Sequence, residues 1–357
     1  MDASLSERLL PWYREHGRDL AFRRSRDPYA ILVSEVLLQR TRVASGLPYY
    51  ERFLARFPTV GDLARATGEE VLKAWEGLGF YGRARNLHRT AKAIVADHDG
   101  EVPRRSAELR TLPGIGDYTA GAVASIAFGE RVPAVDGNAA RVLARVFRLG
   151  GDVSRGDARR RLMAIASRLV PEGDPGAFNQ ALMELGATVC RPKAPRCPAC
   201  PIREGCGAYA DGEPDAYPRF RARARVPVVR VAFALAERDG KVLLVRRPAA
   251  GLLAGMWGLP GGELPPRRSE AAVLRGFLRD LGLTARTIGV AGPVEHAFSH
   301  RRWQGTVYRV KASGSARLPE GAIWATALDL LRLPIVPFHR RFLEARGPPT
   351  VGPPSPG

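Results

Sequence analysis

The sequence predicts two domains of different fold class: an all-α domain built around a helical hairpin, followed by an α+β domain. Apolar residues recur at helical spacing up to about residue 206, and four cysteines close that region. From residue 228 the spacing changes to the alternation typical of strands. A chain of 357 residues is long enough for two or three domains, each with its own core.

The charge indicates a polyanionic partner. Lys and Arg number 55 against 36 Asp and Glu, which gives a net charge of +19. Such an excess is typical of proteins that bind nucleic acid. The sequence shows neither a run of 18 apolar residues nor a signal-peptide pattern at its start, so we expect a cytosolic protein that does not enter a membrane.

The first two helices bring a carboxylate to a core face. Residues 1–26 are predicted as one amphipathic helix with a basic end, and a second, apolar helix covers residues 29–39. The spacing of apolar residues in the second helix puts Glu35 on or beside the core face. A carboxylate there is costly unless it is paired or functional. Both interpretations stay open, and an arginine such as Arg23 or Arg42 would be the partner.

The hairpin is a short turn, Pro113 to Gly116, between helices predicted at about 107–112 and 118–128. Gly114 and Gly116 allow the backbone to approach a partner closely, and the helix start that follows offers N–H groups to a phosphate. An ordinary pair of packed helices would show the same Gly-x-Gly pattern.

Further helices are predicted on either side of the hairpin, between residues 62 and 99 and between 139 and 189. A turn at 82–86 carries two arginines near a helix start, which suits contact with phosphate. A solvated basic turn would have the same sequence.

The cysteines form one compact group, Cys190-x6-Cys197-x2-Cys200-x5-Cys206. In a reducing cytosol such a group indicates metal binding rather than disulfides. A zinc ribbon usually has two separated Cys-x2-Cys pairs, whereas this group has one. Four thiolates would suit a 4Fe-4S cluster.

The second domain begins with a hairpin. Strands predicted at 229–235 and 241–246 flank an Asp-Gly turn at Asp239 and Gly240. The residues before it, 207–227, are rich in arginine, proline and small polar residues and are predicted to be a linker. The tail at 347–357 is rich in proline and glycine and is predicted to be disordered.

Several of these motifs resemble known families. The hairpin followed by Asp136-Gly-Asn138 resembles the helix–hairpin–helix module of base-excision DNA glycosylases, and the cysteine spacing resembles that of endonuclease III-type enzymes. Segments at 33–43, 72–88 and 178–187 resemble the MutY-type adenine DNA glycosylases. The resemblance implies a glycosylase domain at 1–206, with a six-helix barrel at about 27–133 and a cluster subdomain formed by 1–26 and 134–206.

The resemblance also implies the chemistry. Glu35 would donate a proton to adenine N7, and Asp136 would stabilise the sugar cation, as paired carboxyl groups do in glycosidases. Asn138 and Tyr118 would add to the electrostatic field around that cation. Burial can raise the pKa of a carboxyl far enough for Glu35 to hold its proton near pH 7. Related bifunctional enzymes have a lysine at position 118; a tyrosine forms no imine, so we predict a glycosylase without strand-cleaving activity.

The same resemblance implies the substrate contacts. Tyr81 would wedge beside 8-oxoguanine with Thr41 close by, and Gly114 and Gly116 would grip the DNA backbone. Four residues would line the adenine pocket: Arg23, Leu38, Val43 and Glu184. Two departures from the family pattern, Arg40 in place of glutamine and Phe22 in place of tryptophan, affect the expected base preference more than the reaction, since arginine accepts no hydrogen bond.

Residues 228–346 resemble a Nudix fold. The glutamates of a Nudix box would fall at Arg267, Gly276, Arg279 and Asp280, where three of the four are missing, and this argues against a magnesium-dependent pyrophosphatase. In the resembled family this domain recognises 8-oxoguanine through a Phe-Ser-His loop, which implies that role for Phe298, Ser299 and His300. A surface histidine on a hairpin is the alternative interpretation of His300.

The predicted function is excision of adenine opposite 8-oxoguanine or guanine in double-stranded DNA by a monomeric enzyme. Two alternatives remain open: a mismatch glycosylase of the same fold that removes another base, such as thymine from G·T, and a protein that binds lesions without excision. The presence of both Glu35 and Asp136 argues against the second alternative.

Overall fold

The computed structural model describes residues 2–218, 226–314 and 317–345. The helices are α1 Asp2–His16, α2 Pro28–Leu37, α3 Val43–Arg56, α4 Val60–Arg65, α5 Gly68–Ala74, α6 Gly82–Asp97, α7 Ser106–Leu109, α8 Asp117–Phe128, α9 Gly137–Val146, α10 Gly156–Leu169, α11 Pro175–Thr188, α12 Gly207–Ala210, α13 Glu270–Asp280, α14 Ala327–Arg332 and α15 Pro337–Glu344. The strands are β1 Val228–Arg238, β2 Lys241–Arg246, β3 Trp257–Gly258, β4 Gly261–Glu263, β5 Leu283–Ala297, β6 Arg302–Gly314 and β7 Ala322–Ala325. Short 3₁₀ turns lie at Ala21–Arg23, Cys197–Ala199, Arg203–Gly205 and Pro214–Ala216.

These elements form two compact units. The first contains residues 2–65 and 83–218, and the second contains 66–82 together with the described residues from 226 onward. The predicted fold class is confirmed, since the first unit is helical and the second combines a sheet with helices. The stretch 66–82, which includes α5, packs with the second unit, although its sequence precedes the hairpin of the helical domain.

The first unit has a core made by α1, α9, α10 and α11, which contribute, among other buried side chains, Leu9, Leu143, Leu162, Phe178 and Leu182. Helix α2 packs on α8 beside this core. Helix α2 begins at Pro28 because Asp27 caps it: the Asp27 carboxylate accepts the N–H groups of Tyr29 at 3.0 Å and Ala30 at 3.2 Å.

The second unit is built on a mixed sheet. Strands β3, β2, β1, β6 and β5 lie side by side in that order, with β4 paired to β1 and β7 paired to β2. Strands β1 and β6 are parallel, and the other pairs are antiparallel. The predicted hairpin at Asp239 and Gly240 is confirmed between β1 and β2. One face of the sheet packs against α13 through small and branched residues that include Ala232, Ala234, Leu274 and Leu278.

The first helix is shorter than predicted. We expected one helix over 1–26, but α1 ends at His16, and a separate 3₁₀ turn follows at Ala21–Arg23. Glycine has a low helix propensity, and Gly17 stands directly after the helix end. The next backbone N–H, that of Arg18, leaves the helical pattern to donate to Glu184 at 3.3 Å. A contact from a distant part of the chain therefore overrides the local periodicity.

Two other boundaries differ from the sequence analysis. The predicted basic turn at 82–86 is the first part of α6. Residues 207–216, predicted as linker, include α12 and a 3₁₀ turn that belong to the first unit. Part of the predicted linker, 219–225, and the whole tail at 347–357 lie outside the described residues.

Candidate active site

The acid predicted on α2 is buried beside a tyrosine. Glu35 is 8% exposed, and the hydroxyl of Tyr118, in the first turn of α8, donates a hydrogen bond to its Oε2 atom. Burial raises the pKa of Glu35 from 4.5 to about 7, although the Tyr118 hydrogen bond lowers it. The negative charge of Asp136 raises this pKa further, and the positive charge of Arg23 lowers it. Glu35 is thus able to carry a proton at neutral pH.

The second carboxylate caps a helix. Asp136 stands directly before α9, and its Oδ1 accepts the N–H of Ala139 at 2.7 Å, while its Oδ2 accepts the amide of Asn138 at 2.9 Å. Burial raises the pKa of Asp136, and these hydrogen bonds oppose that rise. Asp136 interacts electrostatically with both Glu35 and Tyr118. The structure therefore brings together all four predicted catalytic residues, and Asn138 holds Asp136 by a hydrogen bond.

A chain of hydrogen bonds joins Asp136 to the cysteine loop. The Nη2 atom of Arg141 donates to Asn138 Oδ1 at 2.9 Å and to the Gly186 carbonyl at 2.7 Å, and its Nε donates to the Cys190 carbonyl at 2.8 Å. Gly186 permits this approach, because a Cβ there would lie 2.6 Å from the Cβ of Asn138. The sequence analysis missed Arg141, although its position three residues after Asn138 on a helix puts the two on one face.

Two predicted pocket residues meet in an ion pair. Glu184 is fully buried, and its carboxylate accepts from Arg23 Nη2 at 2.7 Å and from Arg18 Nε at 2.6 Å. Burial raises the pKa of Glu184, but the hydrogen bonds from the two arginines outweigh it and lower the pKa. Glu184 thus holds Arg23, the other predicted pocket residue of this pair, in place. Arg18 was missed; its only sequence signal was its place in the basic stretch.

The residues that follow α2 form a tight turn. Arg40 is exposed and has a left-handed backbone, with φ of 60°. The Gln39 side chain donates to the Thr119 hydroxyl at 2.9 Å, which ties this turn to the residue next to Tyr118. Leu38 and Thr41 are half-buried in the same turn, and Val43 begins α3.

The hairpin presents its two glycines at the surface. Gly114 has φ of 80°, and a Cβ there would lie 2.4 Å from the Asn86 side chain, so glycine is required. Gly116 caps α8, whose first N–H groups follow it, and both glycines are exposed. The Thr90 hydroxyl donates to the Pro113 carbonyl at 2.7 Å and fixes the turn on α6. This geometry is suited to the backbone contact that we predicted.

The four predicted metal ligands lie together in sequence on a loop of short turns. Cys190, Cys197, Cys200 and Cys206 are half-buried and free of disulfide bonds. Arg145, which is almost fully buried, donates to Cys190 Sγ at 3.3 Å. Within the described residues, no three His, Cys, Asp or Glu side chains converge closely enough to hold a single metal ion.

In the second unit, the predicted recognition loop is the tip of the β5–β6 hairpin. Phe298 packs edge-on against Trp303 and His296, with ring centroids 5.1 and 4.5 Å apart. Ser299 and His300 are exposed at the turn, which closes through a bond from the Phe298 N–H to the Arg301 carbonyl at 2.8 Å. Phe298 therefore anchors the loop, and the next two side chains are accessible.

The predicted wedge residue is not at the surface. Tyr81 is only 6% exposed, and its hydroxyl accepts the N–H of Gly77 at 3.2 Å. This burial is at odds with insertion of Tyr81 into DNA. Its neighbour Phe80 is 45% exposed and has a left-handed φ of 48°, so Phe80 is the accessible ring of this pair. The sequence places two aromatic residues side by side and does not distinguish which one faces outward.

The segment that carries Phe80 is fastened within the second unit. Glu69 of α5 accepts from the indole of Trp257 at 2.9 Å, and Glu76 accepts from Arg340 at 2.5 Å. These bonds explain why 66–82 packs with the residues that follow 226.

No helix in the described parts of the chain has the length and apolar character needed to cross a membrane.

Comparison with known proteins gives two family matches along the chain. Residues 33–168 match the family described as HhH-GPD superfamily base excision DNA repair protein, and residues 231–345 match the NUDIX domain. The curated relatives include the adenine DNA glycosylase of Homo sapiens, which is 37% identical over 89% of this chain and 69% of that protein. The adenine DNA glycosylase of Schizosaccharomyces pombe is 32% identical over 91% of this chain and 83% of that protein.

Solved structures resemble the helical part. A thermostable thymine-DNA glycosylase superposes with a TM-score of 0.54 and 32% identity, over 59% of this chain and 97% of that one. A non-covalent endonuclease III–DNA complex superposes with a TM-score of 0.51 and 23% identity, over 59% of this chain and 98% of that one, which supports the fold alone.

Proposed function

The chain belongs to the adenine DNA glycosylase family, and from this premise we propose that it excises adenine placed opposite 8-oxoguanine or guanine in double-stranded DNA. The family makes it an enzyme of base excision repair that cleaves N-glycosyl bonds. The observation that carries the proposed mechanism is the buried Glu35, which accepts a hydrogen bond from Tyr118 and whose pKa is raised to about 7 by burial and by the nearby charge of Asp136.

In the proposed reaction, protonated Glu35 donates its proton to N7 of an everted adenine. The bond between C1′ and N9 then breaks, and its electron pair leaves with the base. The carboxylate of Asp136 stabilises the positive charge on the sugar, and water adds to C1′ with loss of a proton to give the abasic site. Proton donation of this kind contributes about 10²–10⁴-fold to the rate. Tyr118 offers no amine, so the strand stays intact.

Recognition of the base pair and of the surrounding backbone is proposed to use four sets of residues. Arg23, Leu38, Val43 and Glu184 would line the adenine pocket, and Glu184 would also hold Arg23 in place. Arg40 and Thr41 would contact the lesion side, and the exposed Ser299 and His300, anchored by Phe298, would contact 8-oxoguanine. The exposed ring of Phe80 replaces Tyr81 as the proposed wedge. Gly114 and Gly116, exposed before the start of α8, would bind the phosphate backbone.

The four cysteines are proposed to hold a 4Fe-4S cluster. The donor set fits this group: four thiols that form no disulfides, on one loop, with the Arg145 guanidinium 3.3 Å from a sulfur to offset thiolate charge. When bound, the cluster would act as a structural clip. The loop also carries the basic residues Arg191, Lys193, Arg196 and Arg203, which would then be positioned toward DNA.

A second candidate is excision of thymine from G·T pairs, which the 32% identity of the helical unit to a thymine-DNA glycosylase favours. Single-turnover assays on duplexes with adenine opposite 8-oxoguanine, adenine opposite guanine, and thymine opposite guanine separate the two, with alkali to reveal abasic sites. We expect product from the two adenine duplexes, and none without alkali. Product from the G·T duplex alone would favour the second candidate, and product from none would leave a binding protein.

Asp136→Asn tests the mechanism in the same assay. Asparagine also caps helices, so α9 should survive the change, while the charge that stabilises the cation is lost. We expect the excision rate to fall by at least about 10²-fold, with binding to the duplex retained. Asp157→Asn, an exposed change in the first turn of α10, is the matched control and should leave the rate unchanged. An active Asp136→Asn variant would refute the assigned role.

A further inference from the structure

A buried arginine faces the end of the helix that carries Glu35. Arg83 lies near the start of α6 and is 9% exposed. Its Nη1 atom is 2.6 Å from the Leu37 carbonyl, 2.5 Å from the Gln39 carbonyl and 3.3 Å from the Val36 carbonyl. The same nitrogen lies 3.1 Å from the Thr41 hydroxyl. One guanidinium group thus meets four oxygens from six consecutive residues.

Most of these oxygens are backbone carbonyls at the C-terminal end of α2 or in the turn after it, where hydrogen-bond donors are lacking. The last carbonyls of a helix have no partner within the helix, and the partial negative charge at that end favours a cation. Burial lowers the pKa of Arg83 to about 10, with a further lowering from the charge of Arg40, so the side chain remains a cation near neutral pH. The turn after α2 also passes through the left-handed backbone of Arg40, a conformation that is unfavourable for a residue other than glycine.

The turn carries residues with proposed roles. Leu38, Arg40 and Thr41 are the proposed contacts to the base pair, and Gln39 is bonded to Thr119 next to Tyr118. By contrast, Asp136 is held by its own bonds to Asn138 and Ala139, which do not involve Arg83. Replacing Arg83 should therefore disturb the conformation of the turn more than the position of the Asp136 carboxylate.

We infer that Arg83 is the positioning residue of the 38–41 turn, and that by fixing Arg40 and Thr41 it sets how strongly the enzyme prefers adenine opposite 8-oxoguanine to adenine opposite guanine. The preference rests on the proposed function, whereas the positioning of the turn does not. Arg83 is not proposed to contact either base. It acts through the backbone of the turn that carries Arg40 and Thr41, which are proposed to contact the base pair.

The first test needs no substrate. In hydrogen exchange on the free protein, Arg83→Gln should speed exchange of the amides at 38–42, while those at 139–143 in α9 keep their protection. Arg89→Gln is the matched control, because Arg89 lies exposed on the same helix and its change removes the same charge. Unchanged exchange at 38–42 in Arg83→Gln, or equal loss in both variants, would overturn the inference.

The second test measures preference. Single-turnover rates on adenine opposite 8-oxoguanine and opposite guanine give a ratio, which we expect to fall by roughly tenfold in Arg83→Gln, as the loss of a hydrogen bond to a charged group implies. Arg83→Lys keeps the charge and a donor, and should give a ratio between those of wild type and Arg83→Gln. If Arg83→Gln does not fold, a wild-type ratio in Arg83→Lys would overturn the inference.

The outcomes separate the two claims. A wild-type enzyme that excises adenine from neither duplex would refute the proposed function together with the preference, whereas the exchange result would still decide the positioning of the turn. An active wild type with an unchanged ratio in Arg83→Gln would refute the role of Arg83 in preference and leave the proposed function standing. An equal loss of rate on both duplexes would have the same meaning, since it would indicate a general structural role.

Discussion

Replacing Glu35 by Gln should make the protein more stable at alkaline pH, even as it removes the proposed acid. The pKa of Glu35 is raised by burial from 4.5 to about 7, which means that the folded state resists ionisation of this side chain. At about 1.4 kcal/mol for each tenfold change, the difference corresponds to roughly 3 kcal/mol of unfolding free energy. Glutamine has a similar shape and never ionises, so the variant escapes this penalty.

The direction of the pH effect follows from the raised pKa. The wild type keeps its full stability from this group below pH 4.5, and loses it as pH rises through 7. Between pH 5 and pH 8.5 the unfolding free energy of the wild type should therefore fall, relative to that of Glu35→Gln, by about 2–3 kcal/mol. Urea unfolding followed by circular dichroism at the two pH values measures this difference.

The control and the refuting result are equally specific. Glu51→Gln changes an exposed glutamate on α3 and should track the wild type at both pH values. The difference in unfolding free energy between Glu35→Gln and wild type should be larger at pH 8.5 than at pH 5. If this difference is the same at both pH values, Glu35 is not held in the buried environment described above. The proposed protonated acid would then lose its physical basis.

Three further changes test the surroundings of the two carboxyl groups. Tyr118→Phe removes a hydrogen bond that lowers the pKa of Glu35, so the alkaline fall of the excision rate should move to higher pH in single-turnover profiles; an unmoved profile would contradict this. Arg141→Gln removes the donor that holds Asn138 on Asp136, and should slow excision about tenfold while duplex affinity, measured by fluorescence anisotropy, is kept; wild-type rates would argue against the link. Glu184→Gln leaves two guanidinium groups without their buried carboxylate, and should reduce the unfolding free energy, measured in urea at pH 7, by about 1–3 kcal/mol. A loss of stability no larger than that caused by replacing an exposed glutamate would contradict the importance of this ion pair.

Much of the site could be predicted from local sequence. The spacing of apolar residues on α2 was enough to place Glu35 on or beside the core face, where the structure buries it, whereas the capping of α9 by Asp136 was not predicted. The change of periodicity after residue 227 predicted the sheet, and the Asp-Gly pair predicted its first hairpin. These features depend on residues within one or two helical turns, or on a two-residue turn, which sequence shows directly.

What escaped prediction depends on residues far apart in the chain. Arg18 and Glu184 are separated by 166 positions, and no local pattern pairs them; the same contact ends α1 early. Phe80 is exposed and Tyr81 is buried, and the adjacent pair of aromatic residues in the sequence does not show which of the two faces outward. Packing of 66–82 with the second unit likewise depends on Trp257 and Arg340, which lie far along the sequence.

The pH dependence of adenine excision tests the central claim most directly. With wild-type protein and a duplex carrying adenine opposite 8-oxoguanine, single-turnover rates from pH 5.5 to pH 9 report the step that needs a protonated Glu35. A pKa of about 7 predicts a rate that falls about tenfold for each pH unit above that value. A rate that stays constant or rises up to pH 9 would contradict the claim that Glu35 donates the proton.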